Sequence, residues 1–216
     1  MIRVCIVCEG QTEVEFIKSC VTPYLLNHDV DAYPSLLRAP SGRHRGGRVT
    51  VERLVNFISH EYYAADRLTT LVDFYGFQDA QGRTRQQLEQ AIVAGVAKQT
   101  TGFDFRFVRP YVQMYEFEAL LFSDIEQFQY VLDGWDDAVR QKLIKIRAQF
   151  ATPEHINNHR DTAPSKRILT AFQVGTYSKP EHGPIIAHSI GFLKIRQQCP
   201  QFDDWTNMLE QWGRKN

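Results

Sequence analysis

Two carboxylates in this chain each follow a short apolar run. Val4–Cys8 leads directly into Glu9, and Leu68–Val72 leads directly into Asp73. A buried parallel strand is a near-continuous apolar run, and the ligand crevice of an open α/β sheet lies beyond the carboxyl ends of such strands. Two carboxylates in one crevice repel each other unless a cation lies between them, and Mg²⁺ is a natural occupant. The pattern predicts a metal-dependent phosphate chemistry, while the alternative is that both acids only cap the elements that follow them.

A second acidic pair, Glu116 and Glu118, stands at the start of a strongly apolar segment that ends at Phe122. We expect Glu118 to point inward, because it lies amid apolar residues where an unpaired carboxylate would be costly. The metal ligands predicted from the sequence are therefore Glu9, Asp73, Glu116 and Glu118. The alternative for the second pair is a solvated helix N-terminus.

Basic residues in two places suit phosphate contacts. The loop between residues 38 and 48 is rich in glycine and arginine, and we expect Arg43, Arg45 and Arg48 to bind phosphate through bidentate hydrogen bonds. Lys166 stands at the start of a predicted helix, where a cation opposes the helix dipole. A lysine there could neutralise the negative charge that develops in a transition state. The alternative for the loop is a basic surface segment without a ligand.

The order of predicted elements indicates an α/β fold. A strand that ends at Cys8 is followed by a predicted helix over residues 12–26, which Thr12 caps with Glu15 in a capping-box arrangement. Later helices are predicted over residues 49–64 and 84–98, the second capped by Thr84, with a strand over residues 103–112. Strands separated by helices are typical of right-handed crossovers in a mostly parallel central sheet flanked by helices. From about Tyr115 onward the pattern is helical, and it includes predicted helices from Asp136 to Phe150 and from Gly183 to Cys199. We expect a core over residues 1–125 and a helical C-terminal extension over residues 126–216, packed on that core.

Composition narrows the class of protein. The 216 residues carry no net charge, and a protein that clamps long duplex DNA by itself usually has a basic surplus. The ligand is then either a small phosphate compound or a nucleic acid that a partner presents.

The segment Met1–Val4 leads straight into a strand pattern, and no apolar run could cross a bilayer, so we expect a soluble cytoplasmic protein without membrane contact. Cys5 and Cys8 lie three apart in one strand and so point to opposite faces, which favours buried free cysteines over a zinc or redox pair.

A family resemblance follows from the first acidic motif. The sequence Glu9-Gly-Gln-Thr-Glu13 after a strand resembles the E-G-x-[ST]-[DE] signature of Toprim (topoisomerase–primase) domains. The second motif of that family is D-x-D at the end of a later strand, and here Tyr75 takes the place of the second acid after Asp73. Together with Phe117–Phe122, these motifs resemble an uncharacterised bacterial family of Toprim-like proteins (domain-of-unknown-function family 4276). That family is similar to the nuclease domains of OLD-type anti-phage systems.

The resemblance implies a Mg²⁺- or Mn²⁺-dependent enzyme that cuts phosphodiester bonds. Glu9, Asp73 and Glu118 would be the catalytic acids, and Glu13 and Tyr75 would support these acids without binding the metal. Lys166 would stabilise the negative charge of the transition state. It also implies an ATPase partner that presents nucleic acid, expected to be DNA, in phage defence or DNA processing.

Two alternatives remain open at this point. One is a non-catalytic Toprim-like subunit that docks a partner, which the tyrosine at position 75 favours. The other is a phosphohydrolase with a small substrate, which the arginine-rich loop and the neutral charge fit equally well.

Overall fold

The computed structural model describes residues 1–37, 49–157 and 159–214. Within these residues a five-stranded parallel sheet has the order β2-β1-β3-β4, and β5 pairs with β3 beyond the end of β4. The strands are β1 (Ile2–Cys8), β2 (Val30–Leu36), β3 (Arg67–Asp73), β4 (Val108–Arg109) and β5 (Val112–Gln113). The predicted α/β class with a mostly parallel central sheet is confirmed.

Helices surround the sheet and account for most of the C-terminal half. Their bounds are α1 (Gln11–Phe16), α2 (Thr22–Leu26), α3 (Val51–Glu61), α4 (Arg85–Gln99), α5 (Glu118–Leu121), α6 (Asp137–Arg147), α7 (Pro164–Ala171), α8 (Lys179–Ile190), α9 (Phe192–Gln198) and α10 (Pro200–Gly213). A π-helical turn over Ile17–Val21 joins α1 to α2. In the described part of the chain, no helix is both long enough and apolar enough to cross a membrane.

The central strand β1 is buried on both faces of the sheet. Val4, Ile6 and Cys8 pack into one hydrophobic cluster, and Cys5 and Val7 pack into the other. All five side chains are fully buried, and the two cysteines are free. The prediction that Cys5 and Cys8 face opposite sides is therefore confirmed, since alternate residues of a strand point to opposite faces.

Different helices cover the two faces. Helices α3 and α4 cover one face, with Leu54 and Ile92 in its core. The other core contains Phe16 of α1, Ile186 of α8 and Phe202 of α10, together with residues of β1. Helices of the predicted C-terminal extension thus share one buried core with the first strand. The first residues of α7 and α8 lie at the sheet edge described below.

The first helix begins differently from the sequence expectation. Thr12 and Glu15 were the expected capping pair, but Gly10 is the N-cap residue, and Glu13 Oε2 accepts a hydrogen bond from Gly10 N at 2.9 Å. The reason is spacing: Glu13 lies at the third helical position, from which a glutamate reaches back to the N-cap amide. Glu13 therefore holds the turn that carries Glu9.

Candidate functional site

The pairing of β1 with β3 brings the two predicted strand-end acids together. The strands run parallel with Cys8 opposite Leu71, so both end at one edge of the sheet. At that edge Asp73 N donates a hydrogen bond to Glu9 Oε2 over 3.4 Å. Both side chains are partly buried, as expected at the ligand-binding edge of a parallel sheet.

A crevice of about 400 Å³ opens at this edge. Its walls are formed by Glu9, Asp73, Tyr75, Gly76, Gln78, Glu116, Ser165, Lys166 and Lys179. The crevice therefore brings together four of the predicted site residues, Glu9, Asp73, Glu116 and Lys166, and Tyr75 lines it as well. Glu118 lies below the crevice wall and is almost fully buried. Arg43, Arg45 and Arg48 lie outside the described residues.

The position of Glu9 depends on a glycine. A Cβ atom on Gly76 would overlap the Glu9 carboxylate, so only glycine permits this close approach. Gly76 ends the short 3₁₀ turn that follows Asp73. The turn after β3 therefore helps to fix the acid that follows β1.

Backbone amides hold two of the other acids in place. Asp73 Oδ1 accepts from Phe117 N at 2.8 Å, just before α5, and Glu116 Oε2 accepts from Ser165 N at 2.8 Å, in the first turn of α7. Amides at a helix start lack partners within the helix, so these carboxylates serve as caps. The alternative stated from the sequence, in which Asp73 caps the element directly after it, is different: Asp73 makes no side-chain cap bond to the 3₁₀ turn that follows β3 and caps α5 instead.

Lys179 was not predicted from the sequence. Its Nζ lies 3.3 Å from Glu118 Oε1 and 3.7 Å from Glu116 Oε1. Lys179 is the first residue of α8, and a cation at a helix N-terminus opposes the dipole. That argument identified Lys166, but it did not identify Lys179, because the helix was expected to begin only at Gly183.

Four carboxylates at this site have raised pKa values. Burial raises the pKa of Asp73 well above its usual range, and the charges of Glu13 and Glu9 raise it further. Burial, opposed by Lys179, raises the pKa of Glu118 to about 7. Burial likewise raises the pKa of Glu13 to about 7 and raises that of Glu9. The site therefore carries more negative charge than its surroundings stabilise.

The pKa of Lys179 shows the complementary effect. Burial works to lower it, but the charges of Glu118, Glu116 and Asp73 raise the pKa above the ordinary lysine value. Lys179 is therefore a fixed cation of the site.

Tyr75 lies two residues after Asp73, in the short turn that follows β3. Its hydroxyl accepts a hydrogen bond from Nδ2 of Asn157, and its ring lies 5.3 Å from that of Tyr115. Asn157 is buried and was not identified from the sequence. Tyr75 is thus held by a side chain from a distant loop, and it gives one wall of the crevice a phenol in place of a carboxylate.

The side chains do not form a metal centre in their present positions. Across residues 1–37, 49–157 and 159–214, no three histidine, cysteine, aspartate or glutamate side chains are placed to hold one metal ion together. The acids surround one crevice, but their oxygens point to separate hydrogen-bond partners.

Comparison with known proteins identifies the family. The family model described as Domain of unknown function (DUF4276) matches residues 8–210. The chain belongs to this family. The membership expected from the sequence motifs is therefore confirmed. No curated protein matches the chain.

One solved structure similar to this DUF4276 member is the C-terminal region of the Xanthomonas campestris pv. campestris OLD protein. The two chains share 13% sequence identity and have a TM-score of 0.46, over 98% of this chain and 97% of the other.

The DUF4276 site combines oxygen donors with fixed cations. Lys166 is exposed and lies at the mouth of the crevice, while Lys179 lies deeper against the two glutamates. Such an arrangement can bind a phosphate group through its lysines and a hard cation through its carboxylates.

Proposed function

We propose that this protein is a phosphodiester-cleaving nuclease that depends on Mg²⁺ or Mn²⁺ and acts on nucleic acid. One observation carries the proposal: Glu9, Asp73 and Glu116 line a single crevice at the carboxyl ends of β1 and β3 together with Lys179, and the buried Glu118 lies beside that lysine. The Toprim-like motif around Glu9 supports the same chemistry.

The donor chemistry fits a hard divalent cation. Carboxylate oxygens are the ligands that Mg²⁺ prefers. Burial, together with the neighbouring carboxylates, raises the pKa values of Glu9 and Asp73, and a bound cation would offset both effects. The hydroxyl of Tyr177 is buried and has no hydrogen-bond partner among the described residues. Burial raises the pKa of Tyr177, and the negative charges of Glu118 and Glu116 raise it further. Glu9, Asp73, Glu116 and Glu118 would hold the ion, which would draw their side chains closer together.

The bound ion would supply a nucleophilic hydroxide at neutral pH and offset charge on the phosphate. The chain's own residues have separate tasks. Lys179 offsets the negative charges of Glu116 and Glu118, to which its ammonium group lies within 4 Å. Lys166, at the crevice mouth, stabilises the negative charge that develops on the phosphate oxygens. Tyr75, held by Asn157, forms the wall of the crevice beside the phosphate.

A plasmid-nicking assay in Mg²⁺ and in Mn²⁺ tests the proposal. We expect wild-type protein to nick supercoiled DNA, and Glu9→Gln and Asp73→Asn to lose at least about a hundredfold in rate, because each removes a charged ligand at the reacting centre. Glu181→Gln, at an exposed acid of α8, is the matched control. Unchanged nicking by both site variants would overturn the assignment.

An ATPase partner that presents the DNA is part of this proposal. The chain carries no net charge, and affinity for long duplexes comes largely from phosphate neutralisation. We expect the nicking rate to rise when such a partner and ATP are added.

A non-catalytic subunit is the second candidate function. The capping bonds made by Asp73 and Glu116 and the lack of a three-ligand group among the described side chains favour it. Mg²⁺ titration followed by thermal shift separates the two functions, since binding to the native state raises its apparent stability. An equal Mg²⁺-dependent rise in Tm for wild type, Glu9→Gln and Asp73→Asn would favour the non-catalytic subunit.

A small-substrate phosphohydrolase is the third candidate. The crevice of about 400 Å³ is large enough for a drug-sized ligand. Hydrolysis of p-nitrophenyl phosphate in preference to its bis ester would favour this candidate over a nuclease.

A further inference from the structure

A second depression adjoins the acidic crevice. It lies between α6 and α7, has a volume of about 390 Å³, and shares Lys166 with the crevice. Its basic lining residues are Lys142, Lys145, Lys166 and Arg167. We call this depression the α6–α7 groove. One acid, Asp161, also lines it, but that side chain is 88% exposed and lies 3.2 Å from His159.

The cations of the α6–α7 groove are available to a ligand. Within the described part of the chain, Lys142, Lys145 and Lys166 make no ion pair, and Lys142 Nζ makes one long bond, 3.4 Å, to a backbone carbonyl. Each of the three side chains is exposed. Lysines without acidic partners on neighbouring helices repel one another, so an anion there would be stabilised by several charges at once.

Arg167 is held in place inside the groove. Its Nε donates to the carbonyl oxygen of Thr162 at 2.7 Å, and its guanidinium lies 5.2 Å from the centre of the Phe150 ring. A guanidinium fixed in this way has terminal nitrogens left to donate, and its fork geometry matches phosphate oxygens.

The floor of the groove is apolar. Ile146 of α6 and Ala171 of α7 form it, together with the alkyl stems of the lysines. A cationic rim over an apolar floor suits a nucleotide, because the phosphates contact the cations while the sugar and base cover the apolar surface. The volume is at the lower end of the range of about 300–1,000 Å³ for small-molecule sites, which fits part of one strand.

We infer that the α6–α7 groove binds the backbone of a single nucleic acid strand on one side of the phosphate that lies in the crevice. This inference rests on the proposed nuclease function. Lys166 would contact the phosphate at the junction, and Lys145 and Lys142 would contact phosphates farther along the strand. The chemical class of the ligand is a phosphodiester chain.

Fluorescence anisotropy with a labelled single-stranded oligodeoxynucleotide of about 12 nucleotides tests the inference. The measurement is made in EDTA at low salt, so that no cleavage takes place. We expect the double variant Lys142→Ala/Lys145→Ala to bind about tenfold more weakly, because two phosphate contacts are lost. The matched control, Lys18→Ala/Lys98→Ala, removes two exposed lysines elsewhere and should bind like wild type.

Equal binding by the groove variant and the control would overturn the inference. So would displacement of the oligonucleotide by polyglutamate as effectively as by unlabelled oligonucleotide, since the groove would then take any acidic polymer. The binding readout does not depend on cleavage. Weaker oligonucleotide binding by the groove variant would therefore support strand binding by the groove even if unchanged nicking by Glu9→Gln and Asp73→Asn overturned the nuclease assignment.

Discussion

The pair formed by Lys179 and Glu118 sets the electrostatic balance of the site. The Glu118 side chain is 4% exposed, whereas that of Lys179 is 38% exposed. A buried carboxylate needs a partner, because removing one member of a buried ion pair leaves an uncompensated charge. Lys179 therefore matters more for the ionisation of Glu118 than for attaching α8 to the rest of the protein.

Replacing Lys179 with Met should destabilise the protein in a pH-dependent way. At pH 8 we expect a loss of about 1–2 kcal/mol in the free energy of unfolding, less than for a fully buried pair because the lysine is partly solvated. At pH 5.5 the loss should shrink, since Glu118, whose pKa is about 7, is then protonated. Urea unfolding at both pH values measures this.

The matched control for that experiment is Lys194→Met. Lys194 forms a more exposed ion pair with Asp124 at 2.8 Å, away from the carboxylate cluster. Its loss should be under about 1 kcal/mol. An equal loss for Lys179→Met at the two pH values would mean that its stem packing, and not its charge, stabilises the fold.

The raised pKa values of Glu118 and Glu13 predict how stability varies with pH when divalent metal is removed. Burial raises both pKa values from 4.5 to about 7 in the folded state. At a pH between 4.5 and about 7, the folded protein therefore binds more protons than the unfolded chain. The free energy of unfolding then falls as pH rises. In EDTA we expect a higher Tm at pH 5.5 than at pH 8.

Substitution and metal addition check the origin of that slope. Glu118→Gln should remove part of the fall in Tm between pH 5.5 and pH 8, because the glutamine side chain cannot ionise. Mg²⁺ should raise the Tm more at pH 8 than at pH 5.5, since protons compete for the carboxylates. A Tm in EDTA that rises toward pH 8 would contradict the assignment.

At the scale of elements, the turn after β3 controls an acid that follows β1. Gly76→Ala should push the Glu9 carboxylate away, because the new Cβ would overlap it. We expect the Mg²⁺-dependent rise in Tm to fall by at least about half. Thermal shift with and without Mg²⁺ measures this effect.

Gly134→Ala is the control for that variant. A Cβ at Gly134 would lie 2.9 Å from Thr176 Oγ1, which is also too close, although milder than the overlap of a Cβ at Gly76 with Glu9 Oε2, and it is remote from the crevice. It should lower the Tm equally with and without Mg²⁺. If Gly76→Ala behaves in the same manner, Glu9 takes no part in binding a metal.

Elements with strong local signals could be predicted from the sequence. Thr84 caps α4 as expected, with Gln87 completing the capping box, and α6 begins after Asp136 as predicted. The apolar run of β1 also gave a correct strand. In each case the decisive contacts lie within a few residues of one another, so the sequence contains them.

Other elements depend on their place in the sheet. β2 was not predicted because Pro34 interrupts its pattern, yet β2 is an edge strand, where a missing amide donor is tolerated. The strand expected over residues 103–112 is reduced to β4 and β5, on either side of Pro110.

The site shows the same division. Glu9 and Asp73 could be found because each follows its own strand. Lys179 and Asn157 could not, because they meet Glu118 and Tyr75 only through the packing of distant segments. The capping bonds of Asp73 and Glu116 are also tertiary contacts.

On the scale of the whole molecule, a neutral chain separates its charges. The acidic crevice and the basic α6–α7 groove adjoin at Lys166. Helices α3 and α4 lie on the opposite face of the sheet from the core that contains α7. A strand that follows the groove would therefore reach the carboxylates, whereas long-range attraction to DNA would be weak because the charges cancel at a distance.

The salt dependence of binding tests this view of the whole chain. For single strands the slope of log K against log salt concentration is about −0.7 for each phosphate neutralised. The four groove cations, Lys142, Lys145, Lys166 and Arg167, therefore predict a slope no steeper than about −3 for the isolated protein. Anisotropy titrations over a range of NaCl concentrations give the value. A slope near zero would contradict phosphate contacts altogether. A much steeper slope would mean that cations outside the groove bind the strand, and Arg43, Arg45 and Arg48 would then be the first to substitute.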